Sequence, residues 1–480
     1  MISLRNNWRF ALTTVGIGAA TAALAGCGGP ARVVGVPVHF ASHQLCSATF
    51  VAGLDPTEYY NEAIKPKLGP VGAFLRYEVD RERLEVRTSL GGLVRSRAVH
   101  DGPFGCRVLH PGREVRFFEG EAENRQLPAP SVSPIAGPDI VAPENAELSE
   151  ALDHAFAESE SGPRRFTKAV VVLHRGGIVG ERYAPGITPM TPLLGYSMTK
   201  SVTNALLGIL VRNGKLDMYE PAPIAEWSAK PGDPRRSITA DQLLRMVSGI
   251  GCGQSLKTGF TTIFDADTQM EFDMADQSAF AANAGLRARP GSEWRYTNCN
   301  FILLSRMIRN AAGGEAISAR KFIERELFSP LGFENATLEY DSAGVPLGTI
   351  HLWASARDWA RFGLLYLRDG VAQSGQRLLP EGWVDYSAKL TPLSADEYGY
   401  GAGFWTQRGK SAAARARVAA GFPDDSFMGK GSQGQYTIII PSHDLVIVKI
   451  GWAYTPDDDH VAVERLVRET IAALQPRRAN

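Results

Sequence analysis

The stretch Gly195-Tyr196-Ser197-Met198-Thr199-Lys200-Ser201-Val202-Thr203-Asn204-Ala205-Leu206-Leu207-Gly208-Ile209-Leu210-Val211 joins a hydroxyl, an amine and a helix in one segment. Val202, Ala205, Leu206, Ile209 and Leu210 recur at helical spacing, and Asn213-Gly214 stops the pattern. Ser197 therefore sits at a helix N-terminus, with Lys200 one turn later on the same face. The positive end of the helix lies beside the hydroxyl. A serine hydroxyl is a weak nucleophile until a base takes its proton, and a lysine on the same turn is one such base. The S-x-x-K spacing alone is a weak signal. Ser318-Ala319-Arg320-Lys321 repeats it, as helix capping readily does.

Context separates the two copies. Upstream of Ser197, Ala169 to Leu173 reads as a buried strand, Arg175-Gly176-Gly177 as a turn and Ile178 to Tyr183 as the return strand. Downstream comes Tyr296-Thr297-Asn298. A phenol there can act as, or share, the general base, and Asn298 can bind a substrate carbonyl. The plain alternative for Tyr296 is a core tyrosine. The third element should be a strand with a glycine that lays N–H groups beside an oxyanion. Gly431-Ser432-Gln433-Gly434-Gln435, ahead of a strand Tyr436 to Ile440, fits. Lys257-Thr258-Gly259 lies between serine and tyrosine with no strand around it and reads as a surface loop. The chain has no G-x-S-x-G elbow, no H-E-x-x-H spacing and no convincing phosphate or dinucleotide loop, so no metal or cofactor is expected.

Residues 147–158 read as a helix. Leu445 to Ile450 pairs back on Tyr436 to Ile440, and a last helix spans about 461–474. Strands at both ends of a helical middle indicate an α+β domain whose sheet is assembled from its two termini.

Composition narrows the rest. The 480 residues are 44% hydrophobic and 21% charged, with 51 basic and 51 acidic side chains. Such a chain is globular, and its balance argues against nucleic acid as the main partner. Arg5 and Arg9 precede an uncharged apolar run, Phe10 to Leu24, shorter than the roughly 20 residues of a membrane span. It ends in Leu24-Ala25-Gly26-Cys27. This resembles a bacterial lipoprotein signal over residues 1–26, with Cys27 the lipidated first residue and the protein anchored to the cell envelope on the periplasmic side. Losing residues 1–26 removes two Arg and no acid, which leaves a net charge of −2.

Four cysteines remain. Cys46 and Cys106 flank one N-terminal segment and are paired on that ground, which leaves Cys252 with Cys299. Four cysteines allow three pairings, and the sequence does not choose. Short strands such as Phe74 to Val79 and Leu84 to Thr88 suggest a small β-rich domain over 27–119. Residues 120–145, with five prolines, read as an extended linker. The rest, 146–480, is the chemical domain.

The ordered set Ser197-x-x-Lys200, Tyr296-x-Asn298 and Ser432-Gln433-Gly434 ahead of a C-terminal strand resembles the class C β-lactamase and penicillin-binding-protein family of serine hydrolases. Within it, the likeness is to 6-aminohexanoate-dimer hydrolases and related esterases. Residues 171–186, 196–211, 239–250, 355–370 and 379–384 extend the likeness, which covers about 165–475. It implies a five-stranded antiparallel sheet flanked by helices, with a helical subdomain and a cleft. It implies Ser197 as the acyl-accepting nucleophile, Lys200 and Tyr296 as the proton-transfer pair and Asn298 as a substrate contact. The N–H groups of Ser197 and Gln435 would be the oxyanion donors, and the substrate a small amide or ester. One departure is plain. Ser432 stands where penicillin-binding members carry Lys and many esterase-like members His, which favours a non-lactam substrate. Lys430, two residues away on the same strand face, keeps a penicillin-recognising enzyme open. A non-catalytic envelope protein that binds cell-wall material is the third reading. Oligomeric state is not legible.

Overall fold

The computed structural model describes residues 30–112, 135–158, 162–256, 260–396, 398–454 and 459–475. The signal segment, Cys27, the linker up to residue 134 and Lys257-Thr258-Gly259 lie outside them.

The N-terminal part begins with helix α1, Pro30–Cys46. Four antiparallel strands follow in spatial order: β1 Leu75–Asp80, β2 Glu85–Leu90, β3 Val94–His100 and β4 Cys106–Val108. This part is therefore not simply β-rich. Helix α1 lies across β2 and β3, where Thr88 Oγ1 donates to Val38 O at 2.8 Å and Ser42 meets Ser96 at 2.8 Å. The Cys46–Cys106 disulfide joins the end of α1 to β4.

The larger part is built on a six-stranded antiparallel sheet in the order β10-β11-β12-β13-β5-β6. Its strands are β5 Thr167–His174, β6 Gly177–Tyr183, β10 Trp405–Thr406, β11 Phe427–Gly431, β12 Gln435–Ile440 and β13 Leu445–Gly451. The sheet has six strands where the family resemblance implies five, and β10 is a two-residue edge strand. Strands from both ends of the region do meet at the centre, where Val172 faces Ile447 across β5 and β13. Between them in sequence, β7 Leu193–Leu194, β8 Ala336–Leu338 and β9 Leu352–Ala354 form a small sheet.

Six further helices matter here. They are α2 Ala146–Phe156, α3 Thr199–Arg212, α4 Ala266–Asp273, α5 Asn298–Ala311, α6 Ala356–Leu367 and α7 His460–Leu474. Helix α6 starts at a Ser355/Asp358 capping box and packs on β12, β13 and β5. Helices α2 and α7 pack on each other, and α2 on β5 and β6. Val170 to Leu173 and Val446 to Val448 are fully buried between these layers. Each such side chain contributes about 1.5–3 kcal/mol.

The two parts share one hydrophobic core. A buried carboxylate marks their junction: Glu339 Oε1 accepts Ser47 Oγ at 2.7 Å and the Cys106 N–H at 2.8 Å. Tyr59 packs its ring on Trp353 and Trp452. The described end of the linker is also fixed. Val141 exchanges hydrogen bonds with Glu181 of β6, the Glu144 N–H donates to Val179 O, and Arg357 donates to the carbonyls of Gly137 and Asp139. Among the described residues, no helix is long and apolar enough to cross a membrane.

Candidate active site

Ser197 lies in a tight turn, Tyr196–Met198, that runs directly into α3. Tyr196 takes a left-handed backbone, φ 45°, a conformation costly for a bulky residue and found where structure must aim a side chain. Within this turn the Met198 N–H donates to Gly195 O at 3.1 Å and the Thr199 N–H to Tyr196 O, so the turn that carries Ser197 is itself hydrogen-bonded. Ser197 is half-buried and Lys200 only 1% exposed. Lys200 Nζ donates to Ser197 Oγ at 3.1 Å and to Thr349 O at 3.0 Å.

Burial pushes the Lys200 amine down to about 8, against the pull of the Glu271 and Asp267 carboxylates. Both acids are on α4. Burial also raises Glu271, to about 8, with Asp267 adding to the rise and Lys200 and Lys67 opposing it. Asp267 is raised by burial as well. It caps α5, accepting Thr297 Oγ1 at 2.6 Å, the Asn298 N–H at 2.7 Å and the Cys299 N–H at 3.2 Å.

Tyr296 is 3% exposed, and its ring centroid lies 5.1 Å from Lys200 Nζ. Trp405 stacks on it at 5.6 Å, and Tyr400 meets it edge-on at 5.6 Å. Trp294 and Tyr398, 4.9 Å apart, extend this aromatic wall. The side chain of Asn298 is turned to the protein: Nδ2 donates to Glu271 Oε2 at 3.0 Å. The Cys252–Cys299 disulfide joins the loop after Ser248 to α5 beside these residues.

The third motif sits differently from expectation. Ser432, Gln433 and Gly434 form the turn between β11 and β12, with Ser432 exposed. Gln433 Nε2 donates to Ala63 O of the N-terminal part at 2.9 Å. Gln435 begins β12, and its side-chain amide is held by the Gly451 backbone. The strand residue that reaches the nucleophile is Gly431. A Cβ there would lie 2.3 Å from Gly195 O and 3.1 Å from the Ser197 nitrogen. Gly429 likewise faces Ser201. Lys430, between them, points to the other face, about 6 Å from the rings of Trp405 and Tyr436. The strand face against Ser197 is thus Gly429-x-Gly431 and carries no cation.

Glu271, Asp267 and Thr349 were not singled out from sequence. The second S-x-x-K copy is remote: Lys321 is exposed on its own helix. His43, Glu339 and His351 place donor atoms within 4.8 Å of one another, as do Cys252, Asp267 and Cys299. Both sets are already engaged, the first in the hydrogen bonds of the domain junction and the second in a disulfide.

The glycine contact gives a direct test. Gly431→Ala should force β11 off the turn that holds Ser197. Turnover of a p-nitrophenyl ester is expected to fall about 100-fold, the scale of losing one oxyanion donor, with near-UV circular dichroism unchanged. Wild-type turnover in this variant would show that close approach of β11 is not required.

Known proteins share this arrangement of strands and helices. A family model described as Beta-lactamase matches residues 152–471, so the N-terminal part lies outside it. The 6-aminohexanoate-dimer hydrolase of Paenarthrobacter ureafaciens is 25% identical over 350 residues, which are 71% of this chain and 83% of that protein. The structure of a candidate 6-aminohexanoate-dimer hydrolase from Bacillus anthracis aligns with a TM-score of 0.54 at 23% identity, over 68% of this chain and 82% of that one. A penicillin-binding protein homologue from Caulobacter crescentus aligns with a TM-score of 0.52 at 17% identity, over 70% of this chain and all of that one. With two thirds of its length in the matched span, and a serine beside a buried lysine at its centre, the chain belongs to the beta-lactamase family and is a hydrolase of amide or ester bonds.

Proposed function

We propose that this protein cleaves a small, predominantly uncharged amide or ester through an acyl-enzyme on Ser197. The observation that carries the reading is the 3.1 Å contact between Ser197 Oγ and a fully buried Lys200 amine. The neutral amine takes the Ser197 proton as Oγ adds to the substrate carbonyl. The resulting oxyanion is held at the N-terminal turn of α3, against Gly431 of β11. Lys200, with the Tyr296 phenol beside it, returns the proton to the leaving amine or alcohol as the carbonyl re-forms. A water then adds to the acyl-enzyme, gives its proton to Lys200, and the acid departs as Ser197 regains its own.

Two features support the substrate class. The strand face beside Ser197 has glycines where a cation would hold a carboxylate, and the neighbouring wall is aromatic. The relative from Paenarthrobacter ureafaciens is named a 6-aminohexanoate-dimer hydrolase, which supports an amide bond as the one cleaved and not the absence of charge.

The test is active-site labelling. A fluorophosphonate should mark Ser197, a fluorescent penicillin should not, and Ser197→Ala should abolish the mark. Because the base must be neutral, kcat/KM should climb as pH rises through about 8 and level off above it. Lys200→Met should lower kcat by about 10²–10⁴-fold. A fluorophosphonate mark that survives in Ser197→Ala would refute the assignment, and a persistent penicillin mark would move the substrate to the cell-wall peptide class.

We also propose a lipid anchor in the bacterial envelope, on the strength of Leu24-Ala25-Gly26-Cys27 after a short apolar run. Radiolabelled palmitate should enter the wild-type protein and not Cys27→Ala; equal labelling of both would exclude Cys27 as the acceptor.

A further inference from the structure

Two carboxylates lie buried beside one lysine, and the backbone explains only one of them. Asp267 is committed to the first turn of α5, where it takes two N–H groups and the Thr297 hydroxyl. Glu271, one turn later on α4, caps nothing. Its two oxygens accept only side chains: Asn298 Nδ2 at 3.0 Å and Thr349 Oγ1 at 3.2 Å. Both partners border the Ser–Lys pair. Thr349 presents its carbonyl to Lys200 Nζ, and Asn298 is two residues from Tyr296.

We infer that Glu271 is a positioning residue for the proton-transfer pair: it holds Thr349 and Asn298 in place and, once ionised, sets a negative charge behind the Lys200 amine. This rests on Lys200 being the base.

A carboxylic group buried at such a place is costly unless it is held or used. The charges that face it come from several elements. Asp267 lies on its own helix, Lys200 on α3, and Lys67 in the N-terminal part, between the rings of Phe40 and Tyr196. Behind it, a crevice against the N-terminal sheet is lined by Glu271 together with His43, Arg107, His110 and Asp341. His351, packed edge-on against Phe272 of α4, is kept neutral by burial. Of these, Lys200 is the group whose proton the reaction moves. An anion at Glu271 retains that proton and postpones the neutral amine to higher pH.

The experiment compares two substitutions in the full-length protein, with a p-nitrophenyl ester as substrate. Glu271→Gln keeps the shape and removes the charge. The pH at which kcat/KM is half-maximal should fall by about one unit, so that at the wild-type half-rise the variant already stands near its plateau. Glu271→Asp keeps the charge and shortens the reach. Its half-rise should stay at the wild-type pH while its plateau kcat drops. A half-rise unmoved in Glu271→Gln, or moved upward, overturns the inference. If the Gln variant does not fold, Thr349→Val cuts the same link and keeps the Thr349 carbonyl. Its kcat should fall with KM unchanged, and a wild-type kcat overturns the inference. Fluorophosphonate labelling of the wild type separates the two levels. No mark on Ser197 defeats the Ser–Lys reading itself, whereas a mark with an unmoved half-rise defeats only the part given to Glu271.

Discussion

An amine that must lose its proton near neutral pH cannot sit in water, and the burial of Lys200 is the constraint on which the rest depends. Desolvation disfavours the ammonium form and brings it down to about 8. Burial also demands partners, since an unpaired ammonium in the interior is very costly. Ser197 Oγ and Thr349 O supply two, at 3.1 and 3.0 Å. The nucleophile is therefore one of the groups that solvates the base. Packing this tight needs backbone to approach backbone. Gly431 lets β11 touch the Ser197 turn, and Gly195 leaves room for the Trp359 ring, which a Cβ would meet at 2.3 Å.

The N-terminal part serves the same site from behind. Helix α4 carries both buried acids, and α1 lies along its outer side. There the Phe40 ring meets Phe272 at 5.1 Å, and His39 Nδ1 lies 2.9 Å from Asp273. On its inner side α4 meets α5. The acid-bearing helix is thus held between a helix from outside the matched family span and the helix of the Tyr296 motif. The Cys46–Cys106 bridge fixes the end of α1, and the Cys252–Cys299 bridge fixes the start of α5. Each disulfide thus fixes one end of a helix that packs on α4.

What the sequence revealed follows from how local each signal is. Ser197 and Lys200 are one turn apart on a helix with a clear apolar stripe, so spacing alone placed them together. The hairpins at 167–183 and 435–451 announce themselves through apolar runs around tight turns. Pairing Cys46 with Cys106 by the segment they flank, and so Cys252 with Cys299, is the one of three open pairings that the structure has. Helix α1 gave no such sign. Its Val33, Val34, Val36 and Val38 favour strands and Pro37 interrupts helices, yet packing across β2 and β3 prevails. The third motif slipped because Ser432-Gln433-Gly434 is a turn, and a turn does not say which flanking residue meets a distant serine. Glu271 was invisible for a similar reason. A lone glutamate on a helix reads as a solvated charge, and only the tertiary fold sets it against Asn298 and Thr349.

Lys200 is a base made neutral by burial. A pH titration of its side chain by NMR, in lysine-labelled protein with the signal assigned through Lys200→Arg, measures this directly. Burial should place the midpoint near 8, whereas a midpoint at the ordinary lysine value of 10.5 would mean that the amine stays charged and is no base.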